Sequence, residues 1–269
     1  MLLRRMIEHV ESQNWFAVGL DFFIVVTGVA FAFQLTTWGE ERAADARAQA
    51  SLVQLYEEAE EATRYFTQLV AESDQWLDNQ DQVIAALNDG TIGDLDQRRA
   101  AGALYTMGFY PTISPPRRVY DELHSAGLLR EIEAPDAMSA VSTYYEALVF
   151  MQGQIVFFRP EPSEQEILYP APGIVTTYDP TNLTRLGIEI DASALVANAR
   201  YMSMIANTLR NRFIFQNYRR NTMAAAAAMC AALAEAVDKE CEAQADYLAI
   251  ADFPDFMTRN TTSAPLTTD

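Results

Sequence analysis

Few residues in this chain are of the types that make and break bonds, and their spacing does not favour it. His9 and His124 are the two histidines. His124 adjoins Ser125 but lacks the strand–turn–helix setting that activates a serine, so neither histidine predicts acid–base work. No glycine-rich phosphate loop and no HExxH pattern occurs. Cys230 and Cys241 have no CxxC spacing and no histidine cluster, which argues against structural zinc. Eleven residues apart, they would lie about 16 Å apart on one continuous helix, whereas a disulfide needs Cα atoms within about 7 Å. A bond requires the chain to turn near "VDKE"; two independent thiols are the alternative, and both readings stay open. The acidic run "YEEAEEATRY" (56–65) has helical spacing and reads as a solvated helix face, not a calcium loop. The expectation is a protein that is not an enzyme and carries no cofactor and no metal.

Asp21 is the exception that asks for an explanation. It stands inside "NWFAVGLDFFIVVTGVAFAFQLTTW" (14–38), an almost wholly apolar stretch. The 24 residues from Trp15 to Trp38 make a helix of about 36 Å, enough to cross a hydrocarbon core of about 30 Å. Trp15 and Trp38 sit where interfacial anchors belong, with charges resuming outside them. Phe22–Phe33 followed by small residues also resembles a signal-peptide core. Asp21 at its start, and the absence of a turn after it, favour an uncleaved transmembrane helix over 14–38. Ala17, Asp21, Val25, Gly28, Ala32 and Leu35 share one helical face. Gly28 and Ala32 form a small-xxx-small pair that admits a second helix closely. Asp21 on that face either serves a partner helix or an ion inside the membrane, or reaches headgroup water. Arg4 and Arg5 favour residues 1–13 as a short cytoplasmic leader, Arg42 and Arg47 lie close on the other side, and a short leader before a large acidic domain favours the bulk of the chain being periplasmic.

Beyond Trp38 the pattern is helical. Leu52, Ala59, Phe66, Ser73, Gln80 and Leu87 recur every seven residues with apolar companions, a heptad seam with two polar interruptions. No Pro or Gly breaks residues 40–89, so the helix is expected to continue out of the membrane until "NDGTIGD". A second long helix is predicted from "DASAL", capped by Asp191 or Ser193, with a seam Leu195, Met202, Leu209, Gln216, Met223, Cys230 and Val237 and companions Ala199, Ala206, Phe213, Arg220, Ala227 and Ala234. "AAAAAMCAALAEA" (224–236) reads as close packing. Shorter helices are expected over 95–108, over "SPPRRVYDELHSAG" stopped by Gly127, and over 134–158 opened by Pro135. Residues 159–187 read as a long irregular connection, and 258–269 as a disordered tail. The predicted class is all-α: an N-terminal transmembrane helix, then an elongated antiparallel bundle over 39–257 with two long heptad-patterned helices.

Half of the 269 residues are apolar, enough for a core, and the net charge of −18 excludes the phosphate-neutralising surface that nucleic acid needs. Expected partners are the lipid bilayer and other membrane subunits, or a second copy, through the apolar helix.

Two stretches resemble an uncharacterised family of single-pass bacterial membrane proteins. One carries Asp21, Val25, Gly28, Val29, Ala32, Gln34, Trp38 and Glu40. The other carries Tyr120, Glu122, Leu123, Ser125, Gly127, Leu129 and Ile132, followed by Tyr144 and Tyr145. The resemblance implies an anchored helical protein and names no catalytic residue. Three functions are consistent with all this: an accessory or scaffold subunit of a bacterial inner-membrane complex, an ion-gradient-coupled subunit using Asp21, and an extracytoplasmic sensor whose ligand sits among residues 105–180.

Overall fold

A computed structural model describes residues 15–158, 173–178 and 186–251. The first apolar stretch and the seam after it lie on a single helix, α1 (Trp15–Asp89). Gly90, at a φ of 73°, ends it. The chain divides into two compact units, residues 1–51 and 52–269, and α1 contributes residues to each.

In the first unit the large apolar side chains from Leu20 to Leu35 face outward. Phe22, Ile24, Val25, Val29, Phe31, Phe33 and Leu35 are all exposed. Thr36 and Thr37 donate their hydroxyls to the carbonyls of Ala32 and Phe33, one turn back, which satisfies them within the helix.

The second unit is a helical bundle. After α1 come α2 (Gln97–Met107), α3 (Arg118–Ala126), α4 (Pro135–Phe158), α5 (Ala192–Val196), α6 (Ala199–Ala236) and α7 (Ala243–Ala251). The expected seam of α1 is its buried face: Leu52, Ala59, Phe66, Ser73, Gln80 and Leu87 are all buried. Helix α6 lies antiparallel to it. Tyr56 on α1 reaches the carbonyl of Glu240, just past the end of α6, while Val70 and Asp74 meet Gln216 midway along it. One core cluster gathers Phe66, Tyr144, Leu148, Phe215 and Met229. A second gathers Val83, Leu87, Leu104, Leu195 and Ile205. Burying side chains of this size contributes about 2–3 kcal/mol each.

Four expectations need correction. The second long helix is not continuous. Asp191 caps only the short α5, accepting from the N–H groups of Ser193 and Ala194; Asn198 then interrupts the helix and caps α6 through the N–H of Tyr201. A side chain that satisfies an orphan helix donor competes with helical continuation at its own position. The seam of α6 is wider than expected: Leu209, Gln216, Met223, Ala227, Cys230 and Ala234 are buried as expected, but the buried face extends to a second stripe. Ala199 and Ala206 are exposed. The second stripe is Tyr201, Ile205, Thr208, Arg212, Phe215, Arg219, Thr222, Ala226, Met229 and Leu233. Third, α3 begins at Arg118, after both prolines rather than on them. Last, among the described residues the fold is all-α except for one small antiparallel sheet, whose first strand lies in the region read as irregular and whose second begins at its end. Its strands, β1 (Ile174–Tyr178) and β2 (Leu186–Ile190), pair Ile174 with Ile190 and Tyr178 with Leu186. Gly173, at a φ of 94°, closes the hairpin base, where a Cβ would lie 2.6 Å from the carbonyl oxygen of Asp191. The leader 1–13 and the tail 258–269 lie outside the described residues.

Candidate functional site

The first site follows from Asp21 and its neighbours. Asp21, Gly28 and Ala32 are all exposed on α1. Nothing among the described residues lies within 4 Å of where a Cβ on Gly28 would stand. Trp38 is exposed, with the Arg42 guanidinium 4.1 Å above its ring. Trp15 and Ala17 belong to the same helix. This is a helix long and apolar enough to cross a membrane by length and composition.

The second site is Glu58, which the sequence places on a solvated face and the structure buries at 7% exposure. Its carboxylate accepts from the N–H groups of Val119 (2.6 Å) and Tyr120 (3.0 Å) and from the Tyr145 hydroxyl (2.9 Å). The residue at the N-cap of α3, Arg117, supplies no side-chain cap, so a carboxylate from another helix satisfies those orphan donors and meets the positive end of the helix dipole. Tyr120 stacks on Tyr145, with ring centroids 3.5 Å apart, and Tyr144 lies edge-on to Tyr145. Gly127 stops α3 in the left-handed conformation at a φ of 73°. Tyr120 and Tyr145 thus meet at one buried acid. Burial, reinforced by Glu58, pushes the Tyr145 hydroxyl well above the usual tyrosine range. Beside it, Arg117 grips Asp121 through Nε and Nη2 at 2.8 and 2.7 Å and holds that carboxyl below its usual range. His124 stacks on Tyr120.

The third site lies where the polar interruptions of the two seams meet. Arg219 donates through Nη1 to the Ser73 hydroxyl (2.8 Å) and to the side-chain oxygen of Gln216 (3.3 Å). Gln216 donates to the Val70 carbonyl and to Asp74. Arg220 also donates to Asp74, at 2.8 Å. One heptad before Arg219, Arg212 donates to the Phe109 carbonyl and lies over the Tyr110 ring. Arg212 and Arg219 are 3% and 2% exposed. Burial, and then the charge of Arg212, lower the Arg219 guanidinium to about 9, so it remains cationic at neutral pH. Polar residues at seam positions of this kind select one register over its neighbours. Sequence reasoning missed both buried arginines and Glu58. The 4-3 spacing Ile205, Thr208, Arg212, Phe215, Arg219, Thr222 was available as a signal, but only to a reading that lets arginine occupy a core position.

Cys230 and Cys241 are joined by a disulfide, with Cα atoms 5.8 Å apart. The turn this requires begins at Val237. Asp238 takes a φ of 57°, Lys239 N–H closes on the Ala234 carbonyl at 2.8 Å and Asp238 N–H on the Glu235 carbonyl at 3.3 Å, a Schellman helix stop. A Glu60 carboxylate oxygen lies within 4.8 Å of both sulfurs. That carboxylate accepts from the Glu242 N–H at 2.8 Å, and bonded sulfurs offer no thiolate to a metal.

The chain matches no protein-family model, no curated protein and no solved structure.

Proposed function

We propose that this protein is a non-catalytic, membrane-anchored accessory or scaffold subunit of a bacterial inner-membrane complex. The observation that carries this reading is the outward apolar surface of α1, on which Phe22 and Phe33 are 71% and 75% exposed. Water would penalise such a surface, and lipid or another membrane helix would cover it. On this reading residues 14–38 span the bilayer, the N-terminus is cytoplasmic, and the helical unit is periplasmic, where the Cys230–Cys241 bond persists. The Gly28/Ala32 face receives a partner helix. The resemblance to single-pass membrane proteins supports the same reading.

The test is extraction of the tagged chain from native membranes in mild detergent, with mass spectrometry of the chain and its co-purifying proteins. An intact N-terminus with stoichiometric membrane partners, weakened by Gly28→Leu, is the expected result. A chain beginning near Phe33 with no membrane partner contradicts it.

Asp21, a carboxylate on the apolar part of α1, favours a second reading as an ion-gradient-coupled subunit. Asp21→Asn discriminates: assembly retained with activity lost supports coupling, while unchanged activity leaves the anchor.

A further inference from the structure

The second half of α4 is apolar on two opposite sides. Leu148, Met151, Ile155 and Phe158 are buried in the core. On the other side Val149, Phe150, Gly153, Val156 and Phe157 are exposed, Phe157 as fully as Phe22 on α1, at 71%. No charged residue follows Glu146 before the helix ends at Phe158, and the flanks carry the neutral Gln152 and Gln154. A helix that is apolar all round belongs in an interior, and the bundle covers one side of this one. The Phe150 ring meets Tyr218 of α6 edge-on at 5.3 Å, so the bundle fixes how the outer stripe is presented.

That stripe has a centre. Val149 and Phe150 stand four and three residues before Gly153, and Val156 and Phe157 three and four after it. These spacings put all five on one helical face. Nothing among the described residues lies within 4 Å of where a Cβ on Gly153 would stand, so a second helix backbone can come close there. Turned end for end, the stripe matches itself. Val149 then faces Phe157 and Phe150 faces Val156, a large ring against a small side chain at every level. A parallel pairing would set ring against ring and valine against valine. Charge selects the same occupant. At a net charge of −18, two copies of this chain repel over most of their surfaces. They meet at least cost on a stripe without charge, and that stripe offers no carboxylate to a basic partner.

We infer that α4 joins two copies of this chain in an antiparallel, two-fold contact that crosses at Gly153. The four large side chains offer roughly 450 Å² per copy, or about 900 Å² over the pair, against about 1,600 Å² for a standard interface. The pair is therefore weak and reversible, with a dissociation constant in the micromolar range. The face belongs to the helical unit and does not depend on the membrane reading.

The test uses the full chain in mild detergent, carrying either Gly153→Cys or Ser142→Cys and treated with a short bismaleimide. The native cysteines are bonded to each other and do not react. Ser142 is exposed on the same side of α4, and the antiparallel pair holds its two copies about 30 Å apart. A covalent dimer is expected through position 153 and not through position 142. The position-153 product is expected to persist with Gly28→Leu, which blocks close pairing through α1. Without any cross-link, Phe157→Glu is expected to keep the circular dichroism of the wild type and raise the dissociation constant at least about tenfold in sedimentation. Added sodium chloride is expected to tighten the pair, because it screens repulsion and breaks no ion pair. Linking through both positions, loss of the position-153 product with Gly28→Leu, an unchanged constant in Phe157→Glu, or loosening by salt would each overturn the inference. So would a monomer at every concentration, whether the cysteine at position 153 reacts freely or is shielded by the rest of its own chain.

Discussion

Two stretches of the same helix obey opposite rules. Between Leu20 and Leu35, α1 turns large apolar side chains outward. Between Leu52 and Leu87 it buries its apolar side chains, and buries Glu58, Ser73, Asp74 and Gln80 with them. The backbone is the same in both, so the difference reports what surrounds it. An outward apolar surface suits a helix in lipid, where hydrophobicity provides no reason to hide. An inward apolar face with paired polar residues suits a bundle in water, where burial drives folding and polar contacts choose the register.

The largest expected effect breaks this comparison at its boundary. Removing residues 1–38 is predicted to move the chain from the membrane fraction to the soluble fraction while retaining cooperative helical unfolding by circular dichroism. Loss of folding on that removal would mean the two stretches are not separable. Within the bundle, Glu58→Ala is predicted to cost about 3 kcal/mol in denaturant unfolding, because it orphans two helix N–H groups and the Tyr145 hydroxyl together. A loss below about 1 kcal/mol would show that the acid is no cap.

Cys230→Ser with Cys241→Ser is predicted to cost about 2–3 kcal/mol, from the denatured-state entropy of a loop closed over a separation of 11 residues. The comparison measurement is the midpoint with and without reductant; only the wild type should respond. Alkaline pH probes the same bundle. The folded state holds the Tyr145 hydroxyl above its unfolded range near 10, so its contribution is present in full below pH 10 and is lost as pH rises beyond it. Stability of the wild type should therefore fall faster than that of Tyr145→Phe between pH 10 and 11.5, and parallel curves would refute the assignment. The smallest effect is expected at the end of α3, where Gly127→Ala should cost about 1 kcal/mol because alanine resists the left-handed conformation.

How much of this was readable beforehand follows the same divide. The outward-facing stretch of α1 is legible from hydrophobicity alone. Its buried face after Leu52 is legible because leucine, alanine and phenylalanine recur with period seven. The stops at Gly90 and Gly127 are legible because glycine alone takes those angles cheaply. What escaped was polar. Glu58 hides in an acidic run, and only the unfilled cap of α3, distant in sequence, makes it a core residue. Arg212 and Arg219 occupy a second buried stripe of α6 beside the expected seam, and arginine at a core position hides that stripe from an apolar pattern. "IVTTY" is β-branched but only five residues long, and its partner strand is no longer; pairing with that strand, not local pattern, makes it a strand.

On the proposed reading, α1 passes from lipid into water along its length. The most direct test is alkaline carbonate washing of membranes bearing the full chain, followed by intact mass of the protein in pellet and supernatant. The chain is expected to pellet with its N-terminal residues present. Release of the full-length chain into the supernatant, or recovery of a chain that begins near Phe33, would contradict it.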